Sequence, residues 1–119
     1  MIKKQYESFV KSQSIIASFK NGFPFFYLDY KHPSKITVSS NMLGKRMEEF
    51  FKINIESNNQ YQIIEKGLQI IDNGITIGEI DFIIQNIIDK QVFHVELAYK
   101  FYLYNPTLSK HQLNNWVGP

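Results

Sequence analysis

Apolar residues recur from Ile2 through Tyr6, Phe9, Val10, Ile15 and Ile16 to Phe19 at mostly three- and four-residue spacing, which predicts one or two short amphipathic helices. Between residues 21 and 40 that period is lost. Gly22-Phe23-Pro24, the aromatic run Phe25-Phe26-Tyr27 and His32-Pro33-Ser34 predict irregular structure with room for one short strand. A second helix is expected to open at Ser39, Ser40 or Asn41, all good N-caps, and to run to about residue 55. Its apolar stripe is Leu43, Met47, Phe50 and Phe51, with Asn54 next on the same face. At about 100° per residue Glu48 lies on the flank of that stripe and Glu49 further round, so Glu48 is the one placed to lean over a neighbouring sheet. Asn58-Asn59 ends the helix, and the pattern then changes to β-type. Residues 61–72 read as a strand bent or bulged at Gly67, Asp72-Asn73-Gly74 as a turn, 75–85 as a second strand and 91–104 as a long third one ended by Pro106. The short connection 86–90 predicts an antiparallel hairpin of the second and third strands. Residues 108–116 read as the start of a helix.

Within the hairpin, charge falls at every other position. Glu79, Asp81 and Ile83 share one face of the second strand; His94, Glu96, Ala98 and Lys100 share one face of the third. With a two-residue turn at Asp89-Lys90, Asp81 stands across from Ala98 and Glu96 one diagonal away, so the two carboxylates converge. Unaided, they would repel each other; a divalent cation between them removes that penalty.

Composition narrows the choice of cation. The 119 residues contain no cysteine, which excludes disulfides, thiolate metal sites and cysteine nucleophiles, so a metal must be held by oxygen or histidine. Mg²⁺ or Mn²⁺ suits such donors, and Mg²⁺ completes its shell with water and phosphate oxygens, which points to a phosphodiester substrate. A metal-bound water would attack, with the metal and Lys100 stabilising charge on the phosphate. A net charge of +2 decides nothing about nucleic acid, though the lysines could cluster on one face. The length suits one domain with a single core. No stretch has the roughly 20 apolar residues of a membrane span, and Met1-Ile2-Lys3-Lys4-Gln5 lacks the apolar run of a secretion signal, so a cytoplasmic protein is expected.

Gly78-Glu79-Ile80-Asp81-Phe82, a short turn and then a strand with Glu96 and a downstream lysine resemble the core of the PD-(D/E)XK nuclease superfamily. More narrowly, Leu43-Gly44-Lys45-Arg46-Met47-Glu48, residues 78–82, 94–103 and Trp116-Val117-Gly118-Pro119, in that order, resemble the bacterial domain of unknown function 1853 family. The resemblance implies an α/β fold with a restriction-endonuclease-like core, a three-stranded, mostly antiparallel sheet flanked by helices. Residues 1–40 would be a helical and irregular segment packed on a nuclease-like core of residues 41–119. It also implies a metal-dependent nuclease, with Asp81, Glu96 and Glu48 as ligands of Mg²⁺ or Mn²⁺, Lys100 as the catalytic lysine beside Asp81 and Glu96, and Glu79 and His94 in support. In full-length members more chain follows Trp-x-Gly-Pro; without a later strand and helix the sheet would keep an open edge that invites self-association. One departure stands out. The superfamily lysine follows the acid by two residues, where this chain has Ala98, and Lys100 lies about 7 Å further along the strand.

Each of these residues also has a plainer reading. Glu79 and Asp81 suit the solvent face of a half-exposed strand, His94 a hydrogen-bonding support, and Lys100 an exposed or salt-bridged lysine. Lys45 and Arg46 are candidates for a nucleic-acid backbone or for solvated surface charge. The aromatics at 23–27 and Trp116 read as packing, and His32 and His111 are assigned no function. The rival function is a catalytically inactive nuclease-fold module that binds nucleic acid or a protein partner, in keeping with Ala98.

Overall fold

The computed structural model describes residues 1–12, 29, 33–99, 103–110 and 112–117. The expectations for Ile15, Ile16, Phe19, the aromatics at 23–27, His32, Lys100, His111 and the Trp116 side chain lie outside the described residues. Two helices, α1 (Ile2–Lys11) and α2 (Leu43–Glu56), accompany a three-stranded antiparallel sheet of β1 (Tyr61–Asp72), β2 (Ile75–Asn86) and β3 (Val92–Val95), in the order β1-β2-β3. The molecule is therefore mixed α/β. A second, two-stranded sheet pairs β4 (Leu103–Tyr104) with β5 (Trp116–Val117).

The core lies where α1, α2 and the covered end of the sheet meet. Tyr6 and Phe9 of α1, Met47, Phe50, Phe51 and Ile55 of α2, Phe82 and Ile84 of β2 and Val95 of β3 are all buried. Phe51 meets Phe82 in a tilted pair at 4.6 Å between centroids, and Tyr6 meets Phe50 edge-on at 5.7 Å. Burying the four phenylalanines, Phe9 and Phe50 between the helices and Phe51 and Phe82 between helix and sheet, stabilises the fold by roughly 1.5–3 kcal/mol each before entropy is counted.

α2 begins later than its caps suggest. Met42 sits at the N-cap without a side-chain hydrogen bond. Ser39 and Ser40 are claimed instead from inside the helix, because the Glu49 carboxylate accepts the Ser39 N–H, the Ser39 hydroxyl and the Ser40 N–H. Arg46 completes the strap by donating to the Ser40 carbonyl and the Asn41 side-chain oxygen. Leu43, expected in the apolar stripe, is 41% exposed, since the packed face starts one turn later at Met47.

β1 and β2 occupy their expected places, joined by Asn73 and Gly74 at φ 48° and 78°, the twin positive values of a type I′ hairpin turn. Gly67 takes φ 63°, while the β1–β2 register shifts on either side of it, between Ile63 and Glu65 and between Ile70 and Ile71. The expected long third strand is corrected: β3 has four residues and the chain then leaves the sheet. The turn is longer than two residues, because the Asn86 side-chain oxygen accepts the N–H groups of Ile88 and Asp89, and Lys90 turns the chain at φ 62°. Pairing accordingly sets Phe82 against Val95, which brings Asp81 level with Glu96 and not with Ala98. Residues 33–40 contain no strand, and the C-terminal helical expectation reduces to a 3-10 turn at Gln112–Asn115. Among the described residues no helix is long and apolar enough to cross a membrane.

Candidate functional site

Three of the carboxylates singled out above, Glu48, Glu79 and Asp81, lie where the first turns of α2 approach β2. Lys45, on the first turn of α2, places its ammonium 3.0 and 3.2 Å from the two oxygens of Glu48 and 3.7 Å from Oε1 of Glu79. The pairing with Glu48 arises inside the helix, where residues three apart share a face. Glu79 comes from the opposite side of the contact, a strand thirty-odd residues further along the chain. Glu48, which is 15% exposed, raises the Lys45 ammonium above its ordinary range by hydrogen bond and charge; Glu79 and then Asp81 add to that field. One cation thus stands among acids from the helix and the hairpin.

Asp81 also has a structural task. Its Oδ2 accepts the Leu97 N–H at 2.9 Å, immediately beyond the last paired rung, Phe82 with Val95. This contact replaces the continuing ladder and turns the chain off the sheet. Glu96, level with Asp81, is exposed and pairs with the imidazole of His94, two residues back on the same side of the strand. Arg46 is directed away from the acids, onto Ser40, Asn41 and Gln5.

The expected site residues therefore fall into three groups. Glu48, Glu79 and Asp81 share a locus with Lys45, Glu96 and His94 form a pair at the end of β3, and Arg46 fastens the segment before α2. Lys45, a candidate for a nucleic-acid backbone or for solvated surface charge, stands here at ion-pairing distance from two carboxylates, and its spacing to Glu48 is the signal available in the sequence. Glu49 was set aside for pointing away from the sheet, yet it organises residues 39 and 40, and the hydroxyls ahead of the helix were the clue.

Whether these donors suit a divalent ion is answered differently at two levels. Among the described residues no three His, Asp or Glu side chains stand together as a cage. Mg²⁺, however, is commonly held by only one or two carboxylates together with water and substrate phosphates. Glu48 and Glu79 already share a cation at hydrogen-bonding or ion-pairing distance, with all-oxygen donors of the kind a hard ion takes. The oxygen donors are thus of the kind a hard ion takes, and they amount to two carboxylates facing each other across α2 and β2 with Asp81 nearby.

Comparison with known proteins gives one finding. Residues 29–119 match the family model described as Domain of unknown function (DUF1853), a span that includes α2 and all five strands. No curated protein and no solved structure matches the chain.

Proposed function

Since the chain belongs to the DUF1853 family, we propose that it is a restriction-endonuclease-like domain of the PD-(D/E)XK type, a metal-dependent nuclease acting on nucleic-acid phosphodiesters in the bacterial cytoplasm. The observation that carries this reading is the convergence of Glu48 and Glu79, one from the helix and one from the hairpin, on a single cation beside Asp81. Alternation on an exposed strand would not by itself bring a helix carboxylate to the same point.

Mg²⁺ or Mn²⁺ at this locus would be held by Glu48 and Glu79 beside Asp81, with Glu96 counted as a ligand by family resemblance alone, and would supply a Lewis acid for the phosphodiester and a water acidified toward neutral pH. The chain's own residues have separate tasks. Glu48 and Glu79 concentrate negative charge at the α2–β2 contact, and Lys45 holds that charge in check until a phosphate oxygen draws its ammonium away. His94 orients Glu96. Lys100 is carried into the role of catalytic lysine by family resemblance.

A second reading has its own support. Lys45 already compensates the acids, Asp81 is engaged by the Leu97 N–H and Glu96 by His94, which suits a catalytically inactive nuclease-fold module that binds nucleic acid. One experiment separates the two. Single-stranded, duplex and branched DNA and RNA are incubated with the protein and Mg²⁺ or Mn²⁺, alongside Glu48→Gln and a Mn²⁺ paramagnetic resonance titration. The nuclease reading expects metal-dependent cleavage that drops about 100-fold or more in Glu48→Gln, together with weaker Mn²⁺ binding. Nucleic-acid binding with no cleavage and no bound Mn²⁺ selects the inactive module, and cleavage undiminished in Glu48→Gln removes the proposed site.

A further inference from the structure

A cleft of about 370 Å³ opens between α1, the segment 36–41 and Arg46 of α2. Its apolar walls are Ile2, Ile36 and Val38, all half-buried against the core. Its polar groups are Gln5, Thr37, Asn41 and the Arg46 guanidinium, and no carboxylate lines it. Arg46 is itself half-buried, and every partner it has there is a neutral oxygen: the Ser40 carbonyl at 3.1 Å, Gln5 Oε1 at 2.9 Å and Asn41 Oδ1 at 3.3 Å. Among the described residues no carboxylate comes within ion-pairing distance of it. A guanidinium has five N–H donors. The three bonds use one on Nε and one on each terminal nitrogen, leaving one N–H on Nη1 and one on Nη2.

A partly buried charge held only by neutral groups is unusual, because burial penalises a charge that lacks a counter-charge. Placed in a cleft, it focuses positive potential on whatever enters. The two remaining donors suit an anion with two oxygens, the geometry that distinguishes arginine from lysine. The apolar walls suit a carbon skeleton behind the anion, the usual division of labour in small-molecule pockets. We infer that this cleft binds the oxyanion of a small, partly apolar molecule, a phosphate monoester or a carboxylate, with Arg46 as the anion-binding residue. The inference stands on the cleft alone and is independent of the nuclease reading.

Calorimetric titration of the whole chain with phenyl phosphate, benzoate and inorganic phosphate, each at matched ionic strength in chloride, identifies the class. Saturable binding of phenyl phosphate or benzoate is expected, several-fold tighter than inorganic phosphate, and whichever of the two binds better names the head group. The decisive variant is Asn41→Asp, which keeps the shape and the hydrogen bond to Arg46 but gives the guanidinium an internal carboxylate. It is expected to weaken anion binding at least tenfold while leaving thermal unfolding unchanged or shifted upward, a combination that a purely structural Arg46 would not produce. Gln5→Glu repeats the swap from α1 and is expected to behave the same way. The inference is overturned if neither organic anion saturates, or if both variants bind as tightly as the parent chain.

Discussion

Glu49 shows how one side chain away from the main packing face can govern the start of a helix. The Ser39 hydroxyl holds its carboxyl below the ordinary glutamate range; burial opposes it, and the backbone N–H groups of Ser39 and Ser40 and the charge of Lys66 add smaller lowering effects. Because the folded value is the depressed one, the associated stability is present above the unfolded value of about 4.3 and is lost as pH falls through the folded value. Urea unfolding of the parent chain and of Glu49→Gln should therefore differ most near pH 6, and the gap should narrow progressively as the pH is taken below about 4.3. A gap independent of pH would show that the charge is not what matters. Asn54 makes the same point about legibility. Its place on the apolar stripe was evident from spacing, but a fully buried asparagine donating to the Tyr6 hydroxyl and the Asp29 carbonyl depends on partners 48 and 25 residues away. Helical periodicity reports which face a residue occupies and is silent about long-range partners.

Among the elements, those legible in the sequence were the ones whose bounds are set locally. The β1–β2 hairpin follows from Asn73-Gly74, and α2 from its apolar stripe. β3 is shorter than its pattern predicts because its apolar residues continue past Val95, while its end depends on a contact with a side chain of β2. Gly67 offers a test at this scale. Its φ of 63° is one that an L side chain adopts at a cost of about 1–2 kcal/mol, and a Cβ added there would meet Oε1 of Glu79 at 3.6 Å, an ordinary contact. Gly67→Ala should thus destabilise by about that amount through backbone strain alone, measured from the urea midpoint at constant slope. An unchanged midpoint would mean that β1 relaxes out of its bend.

Across the whole molecule, packing is unevenly distributed. The half of the β1–β2 hairpin near α2 is covered, whereas the half around the turn exposes Ile71, Ile75 and Ile77 at 62%, 67% and 65%. Exposed apolar side chains on a long strand pair are a recognised association hazard, and Ile71, level with Thr76, lies on the face opposite Ile75, level with Asp72. The isolated 119-residue chain should show a sedimentation coefficient that rises with concentration, and Ile75→Lys with Ile77→Lys should suppress the rise without lowering the unfolding midpoint. A flat profile for the parent chain would show that the hairpin is harmless as it stands. The sequence could not announce this imbalance, since alternation and turn residues predict a strand equally well whether its faces are covered or bare. The bond from Leu97 to Asp81 has one more consequence, for how this protein can be interrogated. It forms only when Phe82 faces Val95, so it acts as a latch that tells the correct hairpin alignment from one slipped by two residues. Removing the Asp81 carboxylate would release the latch and silence any chemistry at once. An alanine at that position is consequently an ambiguous control, whereas Asp81→Asn, which keeps an acceptor for Leu97, separates misalignment from lost charge.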